Sequence, residues 1–302
     1  MAFAKNGKNL LNELAFIDAL RSLATHPAAR GLDDDAAVIE FGEEALVLTH
    51  DTLVEGVHFL PGQDPADIAW KLVATNLSDL AAKGAEPLGV LLGYMFGGDD
   101  ARFLAGLREV LDQFNVPLLG GDTVRGTGPQ VLGLTALGRA THRPVPARSG
   151  AKPGDAVYVT GPVGAAMLGL EALRARPKST TGESLAYRRP QPLLREGQAL
   201  APHVTAMMDV SDGLLLDAAR LARASGVTLA LKAAAIPLAV PEDRRAEALR
   251  WGDDYQLLFT APAATQLPIP AFRIGTVAAV SGAPILLDGA PLSEADGLGY
   301  QH

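Results

Sequence analysis

The sequence predicts a mixed α+β fold in two domains, and three observations predict it. Strand-like and helix-like segments intermingle in both halves. A short polar turn between two apolar runs near residue 42 signals an antiparallel hairpin. The stretch "THRPVPARSGAKPGD" (141–155), rich in Pro, Gly and basic residues, reads as a boundary. Hairpins inside mixed sheets argue against a doubly wound parallel fold. The expected division is an N-terminal mixed sheet with helices over 1–140 and a C-terminal α/β domain over 150–302.

The elements follow in order. The first 24 residues mix charges through their apolar positions and predict an amphipathic helix, not a signal peptide. AVIEF (37–41) and ALVLT (45–49) predict strands joined by the three-residue turn GEE. Asp64 before Pro65 marks a helix start. Ile68, Leu72, Val73, Leu77 and Leu80 recur on one face of that helix. A second helix is predicted near 99–114, with strands at 116–119 and 131–138. The apolar stretch around "PLGVLLGYMF" is too short and too Gly-interrupted to cross a bilayer. The second half reads as a strand (AVYVT), a helix near 163–175 and a polar loop. A strand into "MMDV", a helix near 212–225 and further strands follow. No internal repeat or heptad seam is present.

Composition excludes several functions. The 302 residues are 48% hydrophobic, enough for a sizeable core. A net charge of −8 disfavours nucleic acid and anionic membrane as partners. Cysteine is absent, which removes disulfides, thiolate nucleophiles and cysteine metal sites, and suits a cytoplasmic setting.

The acids carry the chemistry. If Phe41 pairs with Ala45, antiparallel register sets Asp35 opposite Asp51, with Cβ atoms about 5 Å apart. Facing carboxylates repel unless a proton or cation lies between them. Asp79 lies one turn past Asn76 at the edge of an apolar helix face. Asp122 follows two glycines in "GGDTVRG", and Asp209 and Asp212 lie in "MMDVSDG". One aspartate at a strand end is ordinarily a turn or cap residue. A set of them, with no cysteine and scattered histidines, fits Mg²⁺ rather than zinc. Gly120–Gly121 allows close approach to a ligand. Ser211 and the amides after it can meet an anion at a helix N-terminus. Arg125 and Arg148 are candidate phosphate forks. The phosphate-loop, dinucleotide-binding and protein-kinase signatures are all missing. The loop at 174–195 holds six basic residues and one acid, and reads first as solvated and second as steering phosphates.

Seven stretches occur in one order: "DDAAVI", "THDTLVEGVHF", "NLSDLAAKGAEP", "GGDTVRG", "ARSGAKPGD", "DVSDGLLLDAARL" and "GDDYQLLF". Together, from about residue 30 to 300, they closely resemble the thiamine-monophosphate kinase family of the aminoimidazole ribonucleotide synthetase-like superfamily. The resemblance implies that superfamily's two-domain fold and a homodimer joined through the N-terminal domain. It implies ATP-dependent phosphorylation of thiamine monophosphate to thiamine diphosphate with several Mg²⁺ ions. By motif, Asp35, Thr49, His50, Asp51, Asp79, Asp122, Asp209 and Asp212 would hold metal. Asp51, Asp122 and Asp212 among them would serve catalysis. Gly121, Asp122, Arg148 and Ser211 would contact ATP, and His58 and Asp253 the substrate. Asp33, His50, Trp251, Asp253 and Gly297 depart from the usual pattern, which has Gly, Thr, Gly, Glu and an aromatic there. Other readings are another ATP-dependent synthetase of the superfamily, or a non-catalytic nucleotide- or thiamine-phosphate-binding protein. Within "DDD", strand alternation turns Asp34 away from Asp35, toward a structural role, and leaves Asp33 dispensable.

Overall fold

The computed structural model describes residues 13–176 and 182–301. The N-terminal helix is present as α1 (Glu13–Arg21), and residues 1–12 of its expected span lie outside the described residues. The first half contains β1 (Ala37–Phe41), β2 (Glu44–Val54), α2 (Pro65–Ala82) and β3 (Ala85–Met95). It continues through α3 (Asp100–Phe114), β4 (Leu118–Val124) and β5 (Val131–Ala140). Its five-stranded sheet runs β1-β2-β5-β3-β4 and is antiparallel except between β3 and β4.

The second half contains β6 (Asp155–Val159), α4 (Ala165–Ala175), α5 (Leu185–Arg188), α6 (Leu194–Leu200) and β7 (Ala206–Asp209). Then come α7 (Leu214–Ser225), β8 (Thr228–Leu231), α8 (Arg245–Ala248), β9 (Leu257–Pro262), β10 (Phe272–Ala278), β11 (Ile285–Leu287) and β12 (Ala290–Leu292). Its seven strands run β12-β11-β8-β10-β6-β9-β7. Both sheets are mixed, as the sequence predicts. The strand β3 was not expected. Its bulge between Pro87 and Gly89 interrupts the pattern that would have revealed it.

Helix α2 begins where Asp64 Oδ1 accepts a hydrogen bond from Ala66 N at 3.0 Å. It lies across β2, β3 and β5 and also touches β7, so it is buried nearly all round. Val47, Leu72, Leu77, Leu132 and Leu134 form the first core beneath it. At its far end, Ala81 and Ala82 pack with Met207 and Phe259 of the second sheet. The helix thereby joins the two halves and carries polar residues into the seam between them.

The hairpin corrects one expectation. Its turn has two residues, Gly42 and Glu43, and Phe41 pairs with Glu44. Gly42 has φ +60°, suited to the first central position of a two-residue hairpin turn. Counting back from the Ala37–Leu48 pair sets Asp35 level with His50, not Asp51. Asp35 still reaches the same cavity as Asp51, because β1 begins only at Ala37 and strand alternation does not govern the residues before it.

The polar loop corrects another. Arg188 and Arg189 are not solvated: both ion-pair with Asp67, a buried residue of α2, and Arg189 also holds Glu109 at 2.6 Å. Trp70 Nε1 donates to Pro190 O at 2.9 Å. These contacts fasten the loop to the first half.

Candidate active site

A cavity of ≈ 1120 Å³ opens between the halves. Asp35, Asp51, Asp79, Asp209 and Asp212 line it, with Arg148, His58, Ser211 and Asp253. Alternation on β2 turns Thr49 and Asp51 toward α2 and His50 toward the opposite face. Asp79 approaches from α2 and Asp209 from the end of β7. One carboxylate oxygen each of Asp35, Asp79 and Asp209 lies within 4.8 Å of the others. Thr49 Oγ1 donates to Asp79, and Ser78 Oγ donates to Asp209 Oδ2 at 2.6 Å. The donors are all oxygen, buried and close, which fits a hard divalent cation such as Mg²⁺.

The charges divide into two groups. Burial, with Asp51 and Asp209 nearby, holds Asp79 well above the usual carboxylate range. Burial and Asp35 do the same to Asp209. Asp51 is raised as well, by burial and by Asp212 and Asp35. Asp35 behaves oppositely. Burial opposes its charge, but Arg148 and Lys83 outweigh burial and keep it below the ordinary value. Arg148 Nη2 lies 2.5 Å from Asp35 Oδ1, and Lys83 Nζ lies 2.7 Å from Oδ2. Asp34 also turns inward, pairing with Lys83 and with Arg30 at 2.5 Å. Asp33 stays half-exposed against Arg21.

Three expected site residues, the metal ligands His50 and Asp122 and the ATP contact Gly121, are placed differently. His50 borders the cavity, but its ring turns to the other face of β2, with Nδ1 2.9 Å from Thr135 Oγ1. Gly121 and Asp122 lie on β4, which is exposed along its length, and neither lines the cavity. Gly121 has its own structural reason. A Cβ there would lie 1.9 Å from Leu92 O, so the glycine lets β4 approach β3. Asp122 Oδ1 accepts from Thr123 N at 2.8 Å.

Helix α7 also departs from expectation. Its first turn does not offer the Ser211 and Asp212 amides to an anion. Both donate to Asp217 Oδ2, at 3.1 and 3.0 Å. Asp217 is fully buried, and burial pushes it up to about 7 against the pull of Arg220. Arg220 in turn holds Asp212 at 2.5 Å.

His58 and Asp253 also line the cavity, joined by Lys71. Lys71 Nζ donates to His58 O at 3.0 Å and Asp253 Oδ2 at 2.8 Å. Tyr187 OH donates to the same His58 carbonyl at 3.0 Å. Trp251 packs against the cluster that holds Tyr187, and Tyr300, whose amide donates to Asp212 O at 2.9 Å, lines the cavity as well. Sequence reasoning missed Lys71, Lys83, Tyr187 and Arg220. The one available signal was a lysine inside the predicted apolar face region of α2, since lysine is seldom buried without a partner.

Family models for the AIR synthase related protein match the chain, the N-terminal domain over 33–140 and the C-terminal domain over 152–281. Thiamine-monophosphate kinase of Escherichia coli K12 is 37% identical over 302 residues, covering 90% of this chain and 91% of its own. That of Caulobacter vibrioides is 40% identical over 278 residues, covering 86% and 77%. A solved structure described as AaThiL complexed with AMPPCP and TMP superposes with a TM-score of 0.86 at 28% identity and covers 100% of both chains.

Proposed function

The chain belongs to the thiamine-monophosphate kinase family, and from that premise we propose how it moves a phosphoryl group from ATP to thiamine monophosphate, giving thiamine diphosphate. The carrying observation is the meeting of Asp35, Asp51 and Asp79 from the first half with Asp209 and Asp212 from the second around one cavity. The acceptor is a phosphate whose second pKa is near 6, so at neutral pH it is mostly a dianion and needs no strong base. The obstacle is repulsion between two anionic substrates. Asp35, Asp79 and Asp209, with Asp51 and Asp212 beside them, would hold Mg²⁺ here. Bound Mg²⁺ would offset phosphate charge during direct in-line transfer. Lys83 and Arg148 keep Asp35 ionised and fixed before any cation arrives. Trp251, Tyr187 and His58 offer the thiamine rings an apolar and aromatic end.

Gly121 and Asp122 enter this proposal from a second copy of the chain. Asp122 and Asp51 stand on strands three spacings apart, about 14 Å, too far to share one ion. The outer sheet face around Asp122 exposes Leu91, Leu118, Val124 and Val131. An uncovered apolar sheet face of this kind supports a homodimer through the first half. Among the described residues no helix is long and apolar enough to cross a membrane. With the cysteine-free sequence, that accords with a cytoplasmic enzyme.

The test is an ADP-release assay. ADP should form only when thiamine monophosphate and Mg²⁺ are both present. ADP formed only with an aminoimidazole precursor, or binding of both substrates without turnover, would overturn the proposal.

A further inference from the structure

Lys71 occupies an unusual position. It is 1% exposed at the centre of α2, and its ammonium serves residues from both halves. His58 O belongs to the first half, and Asp253 Oδ2 to the second. The third side is covered by Tyr187, whose ring centroid lies 3.9 Å from Nζ. An ammonium has three donor hydrogens and no acceptor, so these partners account for its needs.

The loop that carries Asp253 needs such an anchor. Asp253 has φ +65° and Tyr255 φ +51°, a region that costs an L-residue on the order of 1–3 kcal/mol. A side chain at Gly252 would meet Ser211 O at 2.2 Å, so the loop is pressed against the β7–α7 turn. Asp253 N donates to Ser211 O and Tyr255 N to Val210 O, both at 2.8 Å. Tyr255 OH donates to Asp253 Oδ1 at 2.8 Å. These bonds hold the loop to its own half. The Lys71 bond ties it to the first half and sets Asp253 at a fixed offset from His58.

We propose that Lys71 is a positioning residue that holds Asp253 and His58 in register across the two halves and thereby sets the affinity of the site for thiamine monophosphate. The inference rests on reading the cavity as the thiamine-monophosphate site. It predicts a division of kinetic effects, because Lys71 belongs to the substrate end and touches none of the clustered aspartates in the structure.

Lys71→Met keeps the chain length and removes the charge. The expected result is a rise of about tenfold or more in KM for thiamine monophosphate, with kcat and KM for ATP within about twofold of wild type. Tyr187→Phe, which loses only the bond to His58 O, should shift the same KM in the same direction by less. It serves as the second variant if Lys71→Met fails to fold. Hydrogen exchange on the unliganded proteins supplies a readout independent of turnover. In Lys71→Met the Asp253 and Tyr255 amides should exchange faster while amides of β6 and β9 do not. Unchanged KM in the variants, equal losses in kcat and ATP affinity, or unchanged exchange at 253 and 255 in Lys71→Met would overturn the proposal. If wild-type protein turns over no thiamine monophosphate, the functional reading fails, and the exchange experiment still decides whether Lys71 positions the loop.

Discussion

The three adjacent acids at 33–35 have three different surroundings, and each predicts a different outcome. Asp33 makes one half-exposed pair with Arg21. Such pairs contribute about 0–1 kcal/mol, so Asp33→Ala should leave melting and turnover nearly unchanged. Asp34 satisfies Lys83 and Arg30 while 4% exposed. Asp34→Ala breaks two buried ion pairs at once, leaving Lys83 only Asp35 as a carboxylate partner, and should cost about 3–5 kcal/mol in a urea titration. Asp35 faces Asp79 and Asp209, and Asp35→Asn should cut turnover by about a hundredfold or more while the chain stays folded. Equal effects at all three positions would show that local charge, not placement, governs the run.

At the scale of elements, the strained loop before β9 is tied to α4 by Asp254. Its carboxylate accepts from Gly164 N at 2.6 Å and Ala166 N at 3.4 Å. Those donors favour the charged form, yet burial outweighs them and pushes Asp254 from 3.8 up to about 7. The folded value thus exceeds the unfolded one. The resulting stabilisation is complete below about pH 4 and is lost as pH rises through about 7. Asp254→Asn cannot ionise. Wild type should therefore lose stability relative to this variant between about pH 4 and 7, at up to about 1.4 kcal/mol per pH unit. Parallel urea midpoints across that range would contradict the assignment. The hairpin shows the opposite limit of local reading. Its strands were legible from alternation, but its register depended on whether two or three residues form the turn, and the apolar pattern tolerates either.

At the scale of the whole molecule, the proposed dimer makes a prediction that a single protomer cannot. If Asp122 serves its partner's cavity, a mixture of Asp51→Asn and Asp122→Asn proteins, each inactive alone, should recover activity on subunit exchange. The mixed dimer then holds one intact site of two, and random pairing gives about a quarter of wild-type turnover. No recovery, with mixed dimers demonstrated by native mass spectrometry, would place Asp122 outside the partner's site.

The sequence by itself determined the mixed two-part architecture, the helix starts, the family and the acids to consider. Those features reside in periodicity, turn chemistry and short ordered motifs, all of which are local. Only the tertiary structure decided which partners the acids meet. Lys83 and Arg148 reach Asp35 from positions 48 and 113 residues away, and Asp217 takes the amides that Ser211 and Asp212 would have offered an anion. Lys71 joins two loops 195 residues apart. Charge pairing acts through space and over a few ångströms, so neither its presence nor its partner is written in the spacing of residues along the chain.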